Sequence, residues 1–189
     1  MLFTANTTSN TVSVINRTTG AEQSIYATGK GPYDCLATPD GKYLYVSNNT
    51  DNTVSIIWLG GGYVGMALAL IAMPQGVPNM VSSANGARVY TVTDNSVDIL
   101  IIDATTFAII ATIPPNFTPG NAGEANYITV TPSESQVWLS ASPGSGVSIF
   151  VTDLATQAIV ETITIATPIT DVPQINRISA DWNRVECAP

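Results

Sequence analysis

The sequence contains no histidine among its 189 residues. This absence removes the side chain that most often acts as a general base near neutral pH and as a zinc ligand. Positive charge is also scarce, since 6 lysines and arginines stand against 14 aspartates and glutamates and give a net charge of −8. Phosphate binding requires a basic surface, so this charge balance excludes a nucleic-acid partner.

Cysteine and long apolar runs are scarce as well. Cys35 and Cys187 are too few for a disulfide framework and have no metal-ligand spacing. Two alternatives remain for them: two free thiols, or one disulfide that ties the end of the chain to the rest. The longest apolar run, from Val64 to Met73, is too short to cross a bilayer as a helix. We therefore expect no membrane span.

A repeated segment dominates what the sequence does contain. Its best-preserved copy runs from Gly31 to Asn48, and an Asn-Thr-Val-Ser tetrad occurs both at 10–13 and at 52–55. Asp-Gly and Asn-Gly turns separate short runs of alternating apolar residues, a pattern typical of β-hairpins. A period of about 40 residues built from short strands predicts the blades of a β-propeller.

We therefore predict an all-β protein, a β-propeller of four-stranded antiparallel blades with about four repeats in a single domain over residues 1–189. The repeats are approximately 1–41, 42–86, 87–134 and 135–183, with 184–189 as a tail. An innermost strand at 175–180 is expected to close the ring by pairing with the strand at 2–6, because unpaired edges expose backbone polar groups. The alternative is a fragment, or a ring completed by a second copy.

Three short motifs resemble the YVTN-type β-propeller repeat of surface-layer-like and lactonase-like proteins. Residues 3–6, 45–48 and 90–93 stand where that family has its Tyr-Val-Thr-Asn signature, and residues 102–113 look like its link between the third and fourth strands. The resemblance covers nearly the whole chain and implies the fold. It implies no particular activity, because the repeat occurs in adhesive, structural and enzymatic proteins.

The loops that lead into the innermost strands of a propeller converge at one mouth of its central channel. The candidate ligand-binding residues there are Asp34, Asn79, Glu124, Asn126 and Asp171. The three carboxylates could together hold a cation or a sugar hydroxyl, whereas the alternative is that they only cap turns and pack between blades. No calcium-loop spacing is present, so we predict no metal and no cofactor.

The second repeat has an outer strand that is apolar on both faces. Its candidate interface residues are Val64, Met66, Leu68, Leu70 and Met73. An apolar strand at the rim of a propeller indicates a contact surface. The alternative is that a neighbouring loop of the same chain covers this strand.

Four Asn-x-Ser/Thr sequons are candidates for glycosylation: Asn6, Asn16, Asn48 and Asn116. Charged residues make up only 11% of the chain, and Thr, Ser, Asn and Gly take their place on the surface. This composition is typical of secreted or cell-surface β-proteins. We therefore expect an extracellular or cell-surface location and a glycoprotein.

Together these observations predict a structural or adhesive propeller that self-associates or binds another surface protein. Two alternatives stay open: a module that grips a glycan or a peptide with the mouth loops, and a lactonase-like metal-dependent hydrolase that uses Asp34, Glu124 and Asp171. The missing histidine and the scattered carboxylates argue against catalysis. We therefore predict that the protein is not an enzyme.

Overall fold

All regular elements of the computed structural model are β-strands, over the residues that it describes: 1–60, 65–94, 96–114, 125–141, 147–165, 175–178 and 185–187. The first sheet has the three strands β1 (Leu2–Asn6), β2 (Thr11–Ile15) and β3 (Glu22–Ala27). The second sheet has β4 (Pro32–Ala37), β5 (Tyr43–Asn48), β6 (Thr53–Trp58) and β7 (Ala67–Ala72). The third has β8 (Asn79–Ser82), β9 (Arg88–Val92), β10 (Ile99–Asp103) and β11 (Ile109–Ile113). The fourth has β12 (Ala125–Val130), β13 (Gln136–Ala141), β14 (Val147–Asp153) and β15 (Ala158–Ile165), and a last pair consists of β16 (Ile175–Ile178) and β17 (Val185–Cys187).

Strands that follow one another within a sheet pair antiparallel, so each sheet is an up-and-down meander. The innermost strands β4, β8, β12 and β16 lie side by side in chain order, and each sheet therefore packs against the next one. This is the arrangement of propeller blades. The predicted fold class is confirmed: the described part of the chain is all-β and forms a β-propeller of antiparallel blades, of which the second, third and fourth are four-stranded.

The predicted closure of the ring within a single chain is wrong for the residues that the structure describes. Strand β16 pairs with β17 in the register Ile178↔Val185, whereas β1 is hydrogen-bonded to β2 and belongs to a separate sheet. The partner of β16 is thus the next segment of the chain, which forms a local hairpin. Joining segments that are close in the chain loses less loop entropy than joining its two ends.

The alternation of apolar residues predicts strands over 97–101 and 107–113, but the first residue of each range lies in a turn instead. Val97 has φ 60° and is 1% exposed, and β10 begins only at Ile99. Phe107 has φ 59° and precedes β11, which begins at Ile109. Both side chains are apolar because they pack inward from a turn, and this is why a pattern of apolar residues overestimated the strands.

The hydrophobic core lies between the blades. One cluster joins the first blade to the second through Val12, Leu44, Val46 and Ile57. A second cluster lies between the second and third blades and includes Tyr45, Ile56, Met80 and Leu100. A third joins the third blade to the fourth through Tyr90, Ile101, Ile128 and Leu139, among others. Each fully buried aliphatic side chain contributes roughly 1.5–3 kcal/mol, so the blade faces stabilise one another.

The last residue of the Tyr-Val-Thr-Asn signature hydrogen-bonds the Asn-Thr-Val-Ser tetrad of the same blade. In the second blade Asn48 Nδ2 donates to Thr53 Oγ1 (3.1 Å) and Ser55 Oγ (2.9 Å). The first blade repeats this contact, since Asn6 Nδ2 donates to the corresponding hydroxyls of β2 at 3.2 and 2.8 Å. The tetrad itself begins in the left-handed conformation, with φ 52° at Asn52. The two motifs therefore specify one hairpin.

A carboxylate joins the third blade to the fourth. Glu134 Oε2 accepts hydrogen bonds from Tyr90 Oη and from Arg88 Nη1, each at 2.7 Å. Glu134 has φ 53°, and the corresponding turn of the third blade has Gly86 at φ 71°. Gly86 has no side chain that could accept a hydrogen bond. Tyr45 is the residue of the second blade that corresponds to Tyr90, and its buried hydroxyl lacks a hydrogen-bond partner.

Replacing Asn48 by alanine should lower the free energy of unfolding by about 1 to 2 kcal/mol, because two hydrogen bonds, one buried and one part-buried, are lost. Asn6→Ala is the matched control and should have a smaller effect, since Asn6 is only half-buried. Urea denaturation of both variants measures the difference. Equal losses would show that burial of this asparagine does not matter.

Candidate functional site

Two of the predicted mouth residues come together at the centre of the propeller. Asp34 lies on β4 and Asn79 on β8, each four residues before the turn-opening residue of its blade, Thr38 or Ser83. They occupy equivalent positions in successive blades. Asn79 Nδ2 donates to Asp34 Oδ2 across the blade interface at 3.5 Å.

Both side chains also bind the backbone of the following blade. Asp34 Oδ2 accepts the Met80 N–H at 2.8 Å, and Asn79 Oδ1 accepts the Ile128 N–H at 3.1 Å. In each case the donor stands one position further along the inner strand. We call these two contacts the inner-strand relay. It couples the second, third and fourth blades through backbone groups that would otherwise lack a partner.

The carboxylate of Asp34 is electrostatically unusual within this relay. Burial raises its pKa above the ordinary value for aspartate, although hydrogen bonds from the N–H groups of Met80 and Cys35 act in the opposite direction. The third blade uses the neutral amide of Asn79 for the same backbone contact. A half-buried ionisable group with a raised pKa, at a position where a neutral amide makes the same contact, is a candidate for proton transfer or ligand binding.

The other predicted mouth residues do not join this pair in the described structure. Glu124 and Asp171 lie outside the described residues, and Asn126 belongs to β12 with a side chain that lies outside them as well. Among the residues that the structure describes, no group of three or more carboxylate or thiol side chains could hold a metal ion. The three-carboxylate site therefore stays a prediction.

The Cys35 thiol follows Asp34 and is free. Burial raises its pKa to about 12, and the neighbouring Asp34 carboxylate adds to this shift. A thiol with so high a pKa is a poor nucleophile near neutral pH. Of the two alternatives for the cysteines, the structure has the free thiol at Cys35, while the side chain of Cys187 lies outside its description.

The predicted rim strand presents leucines to solvent. Leu68 and Leu70 on β7 are 37% and 59% exposed, and Met66 just before the strand is 47% exposed. The prediction of Met73 as an interface residue was wrong, because Met73 is 6% exposed and packs in the cluster between the second and third blades. Val64 lies outside the described residues.

An open groove borders this strand. It has a volume of about 420 Å³ and is lined by Ala27, Thr28, Gly29, Ser55 and residues 67–70. The groove extends from the exposed leucines of β7 toward the first blade. An apolar strand edge beside an apolar groove is a surface that a protein partner can cover.

One predicted glycosylation site is wrong. Asn48 is 1% exposed and its amide nitrogen is engaged in two hydrogen bonds, so a glycan there is incompatible with the fold. Asn6 is half-buried with its amide nitrogen engaged in the same way. Asn16 uses its side-chain oxygen to cap a turn through the N–H groups of Thr18 and Thr19. Asn116 lies outside the described residues.

Sequence reasoning missed an apolar cavity between the first and second blades. Its volume is about 410 Å³ and its lining consists of Met1, Phe3, Val14, Tyr26, Ala37, Gly41 and Leu59. A comparison of the turns between third and fourth strands could have indicated it, because the third repeat has Phe107 in this turn and the second repeat has glycines.

One curated relative resembles this chain in sequence. The Seven-bladed beta-propeller protein Rv1057 of Mycobacterium tuberculosis is 26% identical over 137 residues, which are 72% of this chain and 33% of the relative. The chain thus spans about a third of the length of the relative that it matches. No family model matches the chain, so its membership of the YVTN-type family stays a prediction.

Solved structures share the fold. Hydrazine synthase of Kuenenia stuttgartiensis superposes with a TM-score of 0.76 at 18% identity, over 86% of this chain and 45% of that chain. The dihydro-heme d1 dehydrogenase NirN superposes with a TM-score of 0.66 at 14% identity, over 95% of this chain and 37% of that chain. At such identities the likeness shows the fold alone.

These comparisons contradict the prediction that the protein is not an enzyme. A synthase and a dehydrogenase have this fold, so propellers of this kind do occur in enzymes. The prediction took the missing histidine and the scattered carboxylates as evidence against catalysis, and neither excludes it in this fold. Aspartate and glutamate side chains also act as general acids and bases in enzymes. No helix among the described residues could cross a membrane.

Asp34→Asn should change how stability depends on pH. Because the pKa of Asp34 is raised in the folded state, the unfolded chain ionises first as the pH rises, and the native protein loses stability across that interval. The asparagine variant lacks this loss, so its stability relative to the native protein should increase from pH 4 to pH 7. Urea denaturation at several pH values measures the trend.

Asp103→Asn is the control of opposite sign. Backbone and side-chain hydrogen bonds from Thr106, together with the Thr105 N–H, lower the pKa of Asp103. Its ionised form is therefore favoured by folding, so the native protein gains stability as the pH rises through the lowered pKa of Asp103 to the ordinary aspartate value of about 4. The stability of the variant relative to the native protein should decrease over that lower interval and change little from pH 4 to pH 7. Parallel trends in the two variants would contradict the assignment of a raised pKa to Asp34.

Proposed function

We propose that this chain forms part of an extracellular or cell-surface propeller that serves as a scaffold for protein–protein contacts. The observation that carries the proposal is the outer strand β7, on which Leu68 and Leu70 are exposed at the rim. Exposed branched side chains next to an apolar groove are unfavourable in water unless a partner covers them. The partner is a second copy of the chain or another surface protein.

The polar surface of the rest of the molecule supports this function. The chain has a net charge of −8 and few charged residues, and a Thr-, Ser- and Asn-rich surface suits an exported protein. Net negative charge keeps such a protein soluble and limits nonspecific association. Specific contacts are then left to apolar patches, of which the surface around β7 is one.

A second candidate function is the binding of a polar ligand, such as a glycan, at the channel beside Asp34. The observation that favours it is the half-buried carboxylate of Asp34, whose pKa is raised, at the position where the third blade has Asn79. Because its pKa is raised, the same group would also suit proton transfer to a bound ligand. Titration calorimetry with calcium chloride and with monosaccharides tests this, and heats that do not change in Asp34→Asn would contradict it.

The double substitution Leu68→Lys and Leu70→Lys should disrupt association and leave the fold intact. Both side chains are exposed in the single chain, so lysine is tolerated there, whereas two desolvated ammonium groups would oppose an apolar contact. Sedimentation velocity should show the native protein as a larger particle and the variant as a monomer. Far-UV circular dichroism checks that the variant remains folded.

Ile110→Lys is the matched control for this experiment. Ile110 is 53% exposed on β11, the outer strand of the next blade, and does not line the groove beside β7. The particle mass should stay that of the native protein. A native protein that sediments as a monomer and binds no surface protein would contradict the scaffold function, and unfolding of the double variant would show that the two leucines belong to the core.

A further inference from the structure

The apolar cavity between the first two blades has a counterpart at the next blade interface. Phe3 pairs with Val14 across β1 and β2, just as Tyr45 pairs with Ile56 across β5 and β6. Phe3 and Val14 line the cavity together with Leu59 of the second blade, and Tyr45 and Ile56 pack in the cluster between the second and third blades, so both pairs face the blade that follows them in the chain. The two interfaces are therefore built from equivalent positions, and their contents can be compared directly.

At the interface between the second and third blades, an aromatic ring occupies the position that corresponds to the cavity. The ring centroid of Phe107 lies 5.3 Å from that of Tyr43 and 6.5 Å from that of Tyr45, in edge-to-face arrangements. Met1 and Phe3 are the equivalents of these two tyrosines in the first blade. Phe107 comes from the third blade and thus reaches back across the interface into the second.

A turn with a recurring geometry holds Phe107 in position. Asp103 accepts the backbone N–H groups of Thr105 and Thr106, and Phe107 then takes the left-handed conformation. The same turn occurs in the first and fourth blades, with Gly20 and Gln157 at the left-handed position. An apolar residue is rare in this conformation, so its contacts must compensate for the strain.

In the second blade the residue at the start of this turn has no side-chain oxygen that could accept the backbone N–H groups. Trp58 pairs with Tyr43 as Asp103 pairs with Arg88, so Trp58 occupies the position of Asp103. Leu59 and Gly60 follow Trp58 in the chain. Leu59 lines the cavity from one side. No side chain among the described residues stands in the first interface where the Phe107 ring stands in the second.

We propose that the cavity between the first and second blades is a binding site for a small neutral molecule with one aromatic ring system, of phenyl to indole size. An apolar cavity of about 150 Å³ is large enough to bind benzene, and this cavity has about 410 Å³. Its side chains are apolar apart from the Tyr26 hydroxyl, so a charged group would lose its hydration without a partner. The rings of Phe3 and Tyr26 offer edge-to-face contacts like those that Phe107 makes.

Indole is the probe for this site, and phenylacetate is the charged control. In two-dimensional NMR spectra, indole should cause saturable shifts at Phe3, Tyr26 and Leu59, and phenylacetate should cause none. Saturable shifts that are absent, or that map elsewhere in the protein, would overturn the proposal.

Two variants sharpen the test. Leu59→Trp places a ring system in the cavity and should weaken indole binding by roughly tenfold or more. Phe107→Ala empties the equivalent place and should create a second indole site, with new shifts at Tyr43 and Tyr45. Unchanged indole affinity in Leu59→Trp would overturn the proposal. Should either variant fail to fold, the map of shifts in the native protein decides.

Discussion

The second and third blades of this propeller are apolar on both faces, and each of these faces is buried by a neighbouring blade. The inner-strand relay meets this constraint with a specific contact, because Asp34 and Asn79 bind the backbone of the following blade at Met80 and Ile128. The apolar clusters between blades supply the driving force, and the relay sets how neighbouring blades are aligned. Strand pairing within a blade alone would leave both of its faces in water.

The individual chemistry of the chain lies where equivalent positions of the repeat differ. One turn position holds Gly86 in the third blade and Glu134 in the fourth, and only the glutamate binds the tyrosine of the preceding blade. A second turn position holds Gly20 in the first blade, Phe107 in the third and Gln157 in the fourth. Of these three residues, only Phe107 packs an aromatic ring into a blade interface. The backbone is the same in each case, so these residues can change without loss of the fold.

The strands and the blade repeat could be predicted from the sequence because they depend on local patterns. The tetrad at 52–55 and the signature at 45–48 specify one hairpin through the contacts of Asn48, which lie within a few residues along the chain. The sequence reasoning failed at Val97 and Phe107, whose side chains are apolar for reasons of packing between blades. It also counted Met73 as surface, although the neighbouring blade buries it.

The sequence by itself determined the all-β class, the period of the repeat and the hairpin turns, since alternation and positive φ at Asn and Gly are properties of short segments. The tertiary structure decided which side chains meet across blades. It paired Asp34 with Asn79, attached β16 to β17, buried the sequon at Asn48 and left the cavity beside Phe3. The contacts across blades join residues that are far apart in the chain, 45 positions in the case of Asp34 and Asn79. Their geometry depends on how two sheets stack, which no local pattern encodes.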